Sequence, residues 1–175
     1  MVDLSSRDRL QPSLIDRLID NDPQQRKESL DARVLSRQQL RAAVLRDLSW
    51  LFNDSRMEPE PNSVRKEELA LWRGLEFARR SVVNFGMPAF SGVTLSSMDT
   101  TEIERAVTEA IRNFEPRIDP QTLEVNVRTD ASDLQNTLQW VIRGQMWSQP
   151  VPLELLLAAD VDVESGTTHV RELRA

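Results

Sequence analysis

Up to Pro116 the apolar residues recur at three- and four-residue spacing, and beyond it they recur at every second position. The first period belongs to helices and the second to strands with one buried face. The earliest pattern is PSLIDRLID, where Leu14, Ile15, Leu18 and Ile19 share a helical side behind Pro12, a residue suited to a first turn. Asn21-Asp22-Pro23 ends it after barely two turns. So short a helix is marginal alone in water and has to dock, on its own core or on a partner. The long polar stretch that follows favours a partner.

A longer helix is predicted after Ser36, which forms a capping box with Gln39; the hydroxyl and the amide each satisfy an orphan backbone N–H. Leu40, Ala43, Val44, Leu48 and Leu51 mark its core face, and Trp50 and Phe52 widen the apolar end. NDSRMEPEPNSVRK, with two prolines, reads as a surface loop. In EELALWRGLEFARRSVVNFGMP, Leu69, Trp72, Leu75 and Ala78 fall on one face and Gly74 divides the run into two short helices. Arg79 and Arg80 suit a helix end, and Gly86 then Pro88 close the segment as a left-handed cap followed by a stop. PAFSGVTLSS is a loop with Ala89 and Phe90 outward. Thr101 and Glu104 form a second capping box, with Asp99 adding charge at the positive helix end. Ile103, Ala106, Val107, Ala110, Ile111 and Phe114 then make a full core-facing stripe.

Past Pro116, Leu123, Val125 and Val127 alternate with polar residues, as do Leu138, Trp140, Ile142 and Met146. Leu153, Leu155, Leu157, Ala159, Val161 and Val163 repeat the pattern. Leucine favours helix by propensity, but the alternation and Pro152 favour strand. Ser165-Gly166 reads as a hairpin turn into a last edge strand, TTHVREL. The fold class is α+β: amphipathic helices packed on a small antiparallel sheet with a C-terminal hairpin. Residues 1–35 form a partly ordered arm with a short docking helix, and residues 36–175 a single domain.

Composition narrows the function classes. The chain has 175 residues, 39% hydrophobic and 29% charged, enough to bury a core in one domain with a tail. A net charge of −6 argues against a phosphate-backbone binder, so no nucleic-acid partner is expected. With no cysteine, thiol catalysis, thiolate metal sites and disulfides are excluded. His169 is the single histidine and reads as a surface residue; two-histidine zinc sites cannot be built from it. Neither a Gly-x-Ser-x-Gly elbow nor a glycine-rich phosphate loop is present, so no cofactor is expected. The amino terminus lacks a secretory apolar run and no stretch reaches 18 apolar residues, which makes a cytoplasmic location without membrane insertion the expectation.

The candidate chemistry lies in EIERAVTEAIRNFEPRI, which ends with Glu115, Pro116 and Arg117, opposite charges on either side of a helix stop. A catalytic Glu115 would need a second carboxylate across a cleft and an apolar pocket to keep one of them protonated. Arg117 works against that, and no other acid stands apart from ordinary helix-surface charge. Aromatic platforms for sugar are scarce too, aromatics being 5% with no tyrosine, and most tryptophans read as core. What remains is a plain helix stop with a local ion pair, or a rigid corner offering a carboxylate and a guanidinium fork to another protein. The residues leave these two equally open. MWSQPVP reads as a sheet corner in which Trp147 is a candidate interface anchor. The last strand, around Val170, is a candidate edge for strand addition by another chain.

Four segments in order, LSRQQLRAAVLRDLSWLFNDSR, RRSVVNFGMPAFSG, EIERAVTEAIRNFEPRI and GQMWSQPVPLELLLAADVDVESG, together resemble the TssE baseplate subunits of bacterial type VI secretion systems. Those subunits are related to phage tail baseplate wedge proteins that carry a lysozyme-like label. The similarity runs from about Leu14 to Val170. It implies a non-enzymatic subunit that joins TssF, TssG and TssK in a wedge, six copies to the assembled ring, and offers the first platform to the TssB–TssC sheath. It also implies that Glu115, Pro116 and Arg117 help hold the wedge core together, and that Leu14 and Leu18 belong to a partner-binding element. A clamp of this kind predicts that Arg117→Ala leaves the isolated fold nearly intact. The competing reading is a peptidoglycan-cleaving, lysozyme-like hydrolase.

Overall fold

The computed structural model describes residues 13–18, 24, 36–61, 63–89, 99–129, 137–147, 152–162 and 164–173. Most of the arm 1–35, including Pro12 and Ile19, the loop from Phe90, the Ser148–Val151 part of the corner and Val163 lie outside the described residues. The period-two pattern becomes four strands: β1 (Glu124–Thr129), β2 (Thr137–Met146), β3 (Leu153–Asp162) and β4 (Thr168–Glu172). They pair antiparallel in the order of the sequence, β1-β2-β3-β4. The register sets Trp140 opposite Val127 and Ala159, and Ile142 opposite Val125 and Leu157, so the apolar positions line up on one face. β3 is a strand despite its leucines because alternation lets Leu153, Leu155, Leu157, Ala159 and Val161 all reach the core. A helix would spread the same residues round its circumference. Gly166 turns the last hairpin at φ 72°, a left-handed conformation that favours glycine.

The helices are α1 (Leu14–Leu18), α2 (Arg37–Asn53), α3 (Leu69–Arg73), α4 (Glu76–Arg79) and α5 (Thr100–Phe114). α5 lies over β1 and α2 over β4. Leu40, Ala43, Val44, Leu48, Leu51 and Phe52 of α2 are buried, as are Ile103, Val107, Ala110 and Ile111 of α5. Phe52 meets the buried Trp140 edge to face, with ring centroids 5.3 Å apart. The Ser36 capping box forms as expected: Gln39 N donates to Ser36 Oγ at 3.2 Å and Ser36 N to Gln39 Oε1 at 2.8 Å.

Three expectations are corrected. Thr101 and Glu104 do not make a capping box. Asp99 is the N-cap, accepting from Thr101 N at 2.9 Å, and Glu104 Oε1 instead accepts from Val127 N at 2.9 Å. A carboxylate that serves an outward-facing donor of edge strand β1 does more than one paired with an exposed helix start. The second correction concerns Leu69, Trp72, Leu75 and Ala78, which do not form a core face. Gly74 divides the run as expected, but neither of the resulting short helices has a buried residue. The third is that most tryptophans are not core: Trp140 is buried while Trp50 and Trp147 are half-exposed or more.

The edges of the sheet are only partly covered. Thr168 N donates to Asn53 Oδ1 at 2.9 Å, and Asn53 Nδ2 donates to Thr168 O at 2.8 Å, so the side chain at the end of α2 acts as one rung of a missing strand. Asn53→Ala is expected to cost about 1–2 kcal/mol, since it strips the Asn53 bonds from the backbone N–H and C=O of the buried Thr168. Urea unfolding measures the loss, and hydrogen exchange at Thr168 is expected to accelerate.

Candidate functional site: a charged corner

α5 ends where proline forces it to. Glu115 adopts φ −124° and ψ 75°, outside the helical region, while its N–H still donates to Ile111 O at 2.8 Å. Ile118 N donates to Glu115 O at 3.2 Å and closes a turn around Pro116 and Arg117. The chain then joins the end of β2: Asp119 N donates to Gln145 O at 2.8 Å and Trp147 N to Arg117 O at 3.1 Å. Ile118 and Met146 form an antiparallel bridge between them. The corner is therefore fixed from both sides by backbone bonds.

Its carboxylate faces inward. The Glu115 side chain is 2% exposed, against 25% for Arg117. Glu115 Oε1 accepts from Arg117 Nε at 2.5 Å and from Arg117 N at 3.2 Å, and Oε2 accepts from Arg117 Nη2. The same Nη2 donates to Asp47 Oδ2 on α2 at 2.5 Å. From Asp47 the pairing continues: Arg46 Nε donates to Asp47 Oδ1 at 2.8 Å and Arg46 Nη1 to Asp16 Oδ1 of α1 at 2.5 Å. Ser13 Oγ donates to the other Asp16 oxygen at 2.5 Å. Charges thus alternate from Glu115 through Arg117, Asp47 and Arg46 to Asp16, joining the end of α5, the middle of α2 and α1. Arg46 also lies over the Trp50 ring, 5.1 Å from its centroid.

Burial works against the Arg117 charge, but the hydrogen bonds and charges of Glu115 and Asp47 outweigh it and raise its pKa further. The bond from Arg46 holds Asp16 below the usual aspartate range against a smaller opposing effect of burial. A carboxyl lowered on docking stabilises the docked state above its free pKa and loses that effect as pH falls through the docked value. The Asp16–Arg46 pair accordingly favours the docked α1 at neutral pH, and that contribution is lost in acid. Arg117 Nη1 is buried and has no hydrogen-bond partner among the described residues.

The structure brings most of the candidate residues together. Pro116 is exposed at the tip of the corner, and Trp147, 58% exposed, is bonded through its backbone to Arg117. Leu14 and Leu18 are 74% and 75% exposed, and Asp16 links α1 to the corner through its ion pair with Arg46. Val170 lies elsewhere, on β4, with its half-buried side chain packed against the core. Glu115 does not project its carboxylate to solvent as an open clamp would; the outer surface is Pro116, part of Arg117 and Trp147. Asp16, Arg46 and Asp47 were missed by sequence reasoning. Their letters look like any solvated helix face, and only the close approach of α2 to the corner distinguishes them.

Among the described residues no helix is long and apolar enough to cross a membrane. No curated protein matches the chain. A family model described as baseplate wedge protein gp25 matches residues 38–151, from the start of α2 to just before β3. The matched span contains Asp47, Glu115, Pro116, Arg117 and Trp147, and excludes α1 and Val170.

Proposed function

Because the chain belongs to the baseplate wedge protein gp25 family and so has a structural role in a phage-tail-like baseplate, we propose that it is the TssE-type subunit of a type VI secretion baseplate. In this reading it joins TssF, TssG and TssK in the wedge through the corner and starts the TssB–TssC sheath at its sheet edge. Its place is cytoplasmic, at the membrane-docked baseplate. The observation that carries the reading is the corner itself. A buried ion pair fixes the backbone of residues 115–117 while Pro116 and Trp147 stand outward beside it. A rigid base with an exposed aromatic is the pattern of an interface anchor.

Acid catalysis draws no support from this geometry. Both Glu115 oxygens are bonded to Arg117 and sealed from solvent, so neither faces a substrate.

Trp147→Ala tests the corner without disturbing its ion pair. Its side chain is 58% exposed, so folding is expected to lose only about 1–2 kcal/mol, from the part that is covered. Loss of an aromatic anchor is expected to weaken co-assembly with the wedge subunits by about 2 kcal/mol, some thirtyfold. Unchanged co-purification of TssF and TssG would remove the corner from the interface.

The sheath contact is tested at Val170. The residues bonded to β3 are the alternates, as Leu173 N to Leu156 O shows, so the Val170 N–H faces away from the sheet. Val170→Pro deletes that donor and leaves the β3 bonds in place, which an edge strand tolerates. The expected result is a folded subunit that assembles in the wedge and fails to recruit sheath. Normal recruitment would refute strand addition at β4.

A further inference from the structure

The sheet has two edges, and on each a side chain from a helix takes the place of a strand. On β1 the outward-facing backbone positions are Val125, Val127 and Thr129, alternate to those bonded to β2. Glu104 holds the middle one through the Val127 N–H, so no two successive rungs of that edge are free. On β4 the outward positions are Thr168, Val170 and Glu172. Asn53 holds the first of them, which leaves Val170 and Glu172 as successive rungs. Among the described residues, no hydrogen bond from outside the sheet engages the backbone of either one.

The Asn53 rung is built as a strand peptide would build it. One carboxamide accepts from Thr168 N and donates to Thr168 O, the reciprocal exchange of a hydrogen-bonded antiparallel pair. Two further bonds fix it: Asn53 Nδ2 also donates to Ser49 O at 2.7 Å, and Thr168 Oγ1 donates to Phe52 O at 3.3 Å. At the other end of β4, Arg41 of α2 donates to Glu172 Oε1 at 2.7 Å and to Glu154 O at 3.1 Å. α2 thus splints β4 at both ends. An edge held straight in advance loses little freedom when a strand joins it.

We propose, on the strand-addition reading, that Asn53 is a register stop: the sheath strand added to β4 pairs with Val170 and Glu172 and ends where the carboxamide begins. The occupant is a strand's main chain, because the rung that Asn53 imitates is a main-chain one. A strand displaced by one rung keeps the same side chains on the same face, so its alternation does not forbid the slip. The occupied rung at Thr168 does.

The chain has no cysteine, so Arg171→Cys supplies a single thiol between the two open rungs. The Arg171 backbone bonds β3, so toward an incoming antiparallel strand it is a non-hydrogen-bonded position. There the Cα atoms approach to about 4.5 Å, within disulfide range. Wedge complexes carrying this variant are mixed with TssB–TssC sheath subunits bearing single cysteines stepped along their strands. One sheath position is expected to form the disulfide. With Asn53→Ala added, and folding checked by circular dichroism, a second position one rung away is expected as well, because Thr168 has become available. Hydrogen exchange on the wild-type complex needs no variant: sheath docking is expected to protect the Val170 and Glu172 amides and to leave Thr168 as it was. An unchanged single position with Asn53→Ala would overturn the proposal, as would several positions with Asn53 intact or a change at Thr168 on docking. No disulfide at any position, together with normal recruitment by Val170→Pro, would remove strand addition itself and the register stop with it.

Discussion

Arg117→Met is expected to destabilise the isolated domain by about 3 kcal/mol, the lower end of the range for breaking a buried ion pair. The cause is Glu115, whose 2%-exposed carboxylate has Arg117 as the donor to both oxygens. Removing the guanidinium strands that charge and leaves Asp47 with Arg46 alone. The value lies at the low end because Arg117 is one-quarter exposed and water can enter in its place. A urea midpoint lower by about 1–2 M reads it out. This departs from the sequence-based expectation that loss of Arg117 spares the fold, because the carboxylate was expected outside. The double variant Glu115→Leu/Arg117→Met removes both charges and is expected to recover stability to within about 1 kcal/mol of wild type. It also separates two roles. A refolded double variant that no longer enters the wedge makes the corner a contact, whereas one that assembles normally makes it an internal staple. Failure to recover stability would mean that the single variant loses packing and not charge pairing.

Gly86→Ala is expected to cost about 3 kcal/mol or more. Gly86 has φ 117°, and a Cβ there would lie 2.7 Å from the Asp54 carbonyl carbon and oxygen and from the Ser55 carbonyl carbon. Left-handed backbone alone costs a non-glycine residue about 1–2 kcal/mol, and these neighbours are backbone atoms with no rotamer to yield. They are held where they are by Met87 N donating to Asp54 O at 2.8 Å and Arg56 N donating to Met87 O at 3.0 Å. The expected loss is concentrated where the 54–56 and 86–88 segments meet, so exchange at the Arg56 and Met87 amides is expected to rise before the core opens. Wild-type protection at both amides and an unchanged melting midpoint would show that the crossing relaxes without cost.

The sequence reached Gly86 as a left-handed cap but not its close packing on Asp54 and Ser55, since those lie across a loop. The same division holds through the fold. The Ser36 box and the buried stripes of α2 and α5 were legible because they depend on neighbours within one or two turns. β3 was legible because alternation decides a strand's buried face wherever leucine propensity pulls the other way. Thr101–Glu104 failed although the motif is local, because a distant group, the Val127 N–H, competed for the glutamate. Leu69, Trp72, Leu75 and Ala78 failed because periodicity shows that residues share a face and not that anything lies against it.

Sequence by itself determined the α+β class, the stop at Pro116, the strand alternation and the family resemblance. Each follows from backbone geometry and side-chain period over a few residues, or from short segments in a fixed order. Tertiary structure alone decided that Glu115 turns inward to Arg117, that Asp47 and Arg46 extend the pairing to α1, and that Leu71, Leu75 and Phe77 stay exposed. Whether a charge is buried or an apolar side covered depends on which distant segment arrives beside it. No local pattern of letters carries that information.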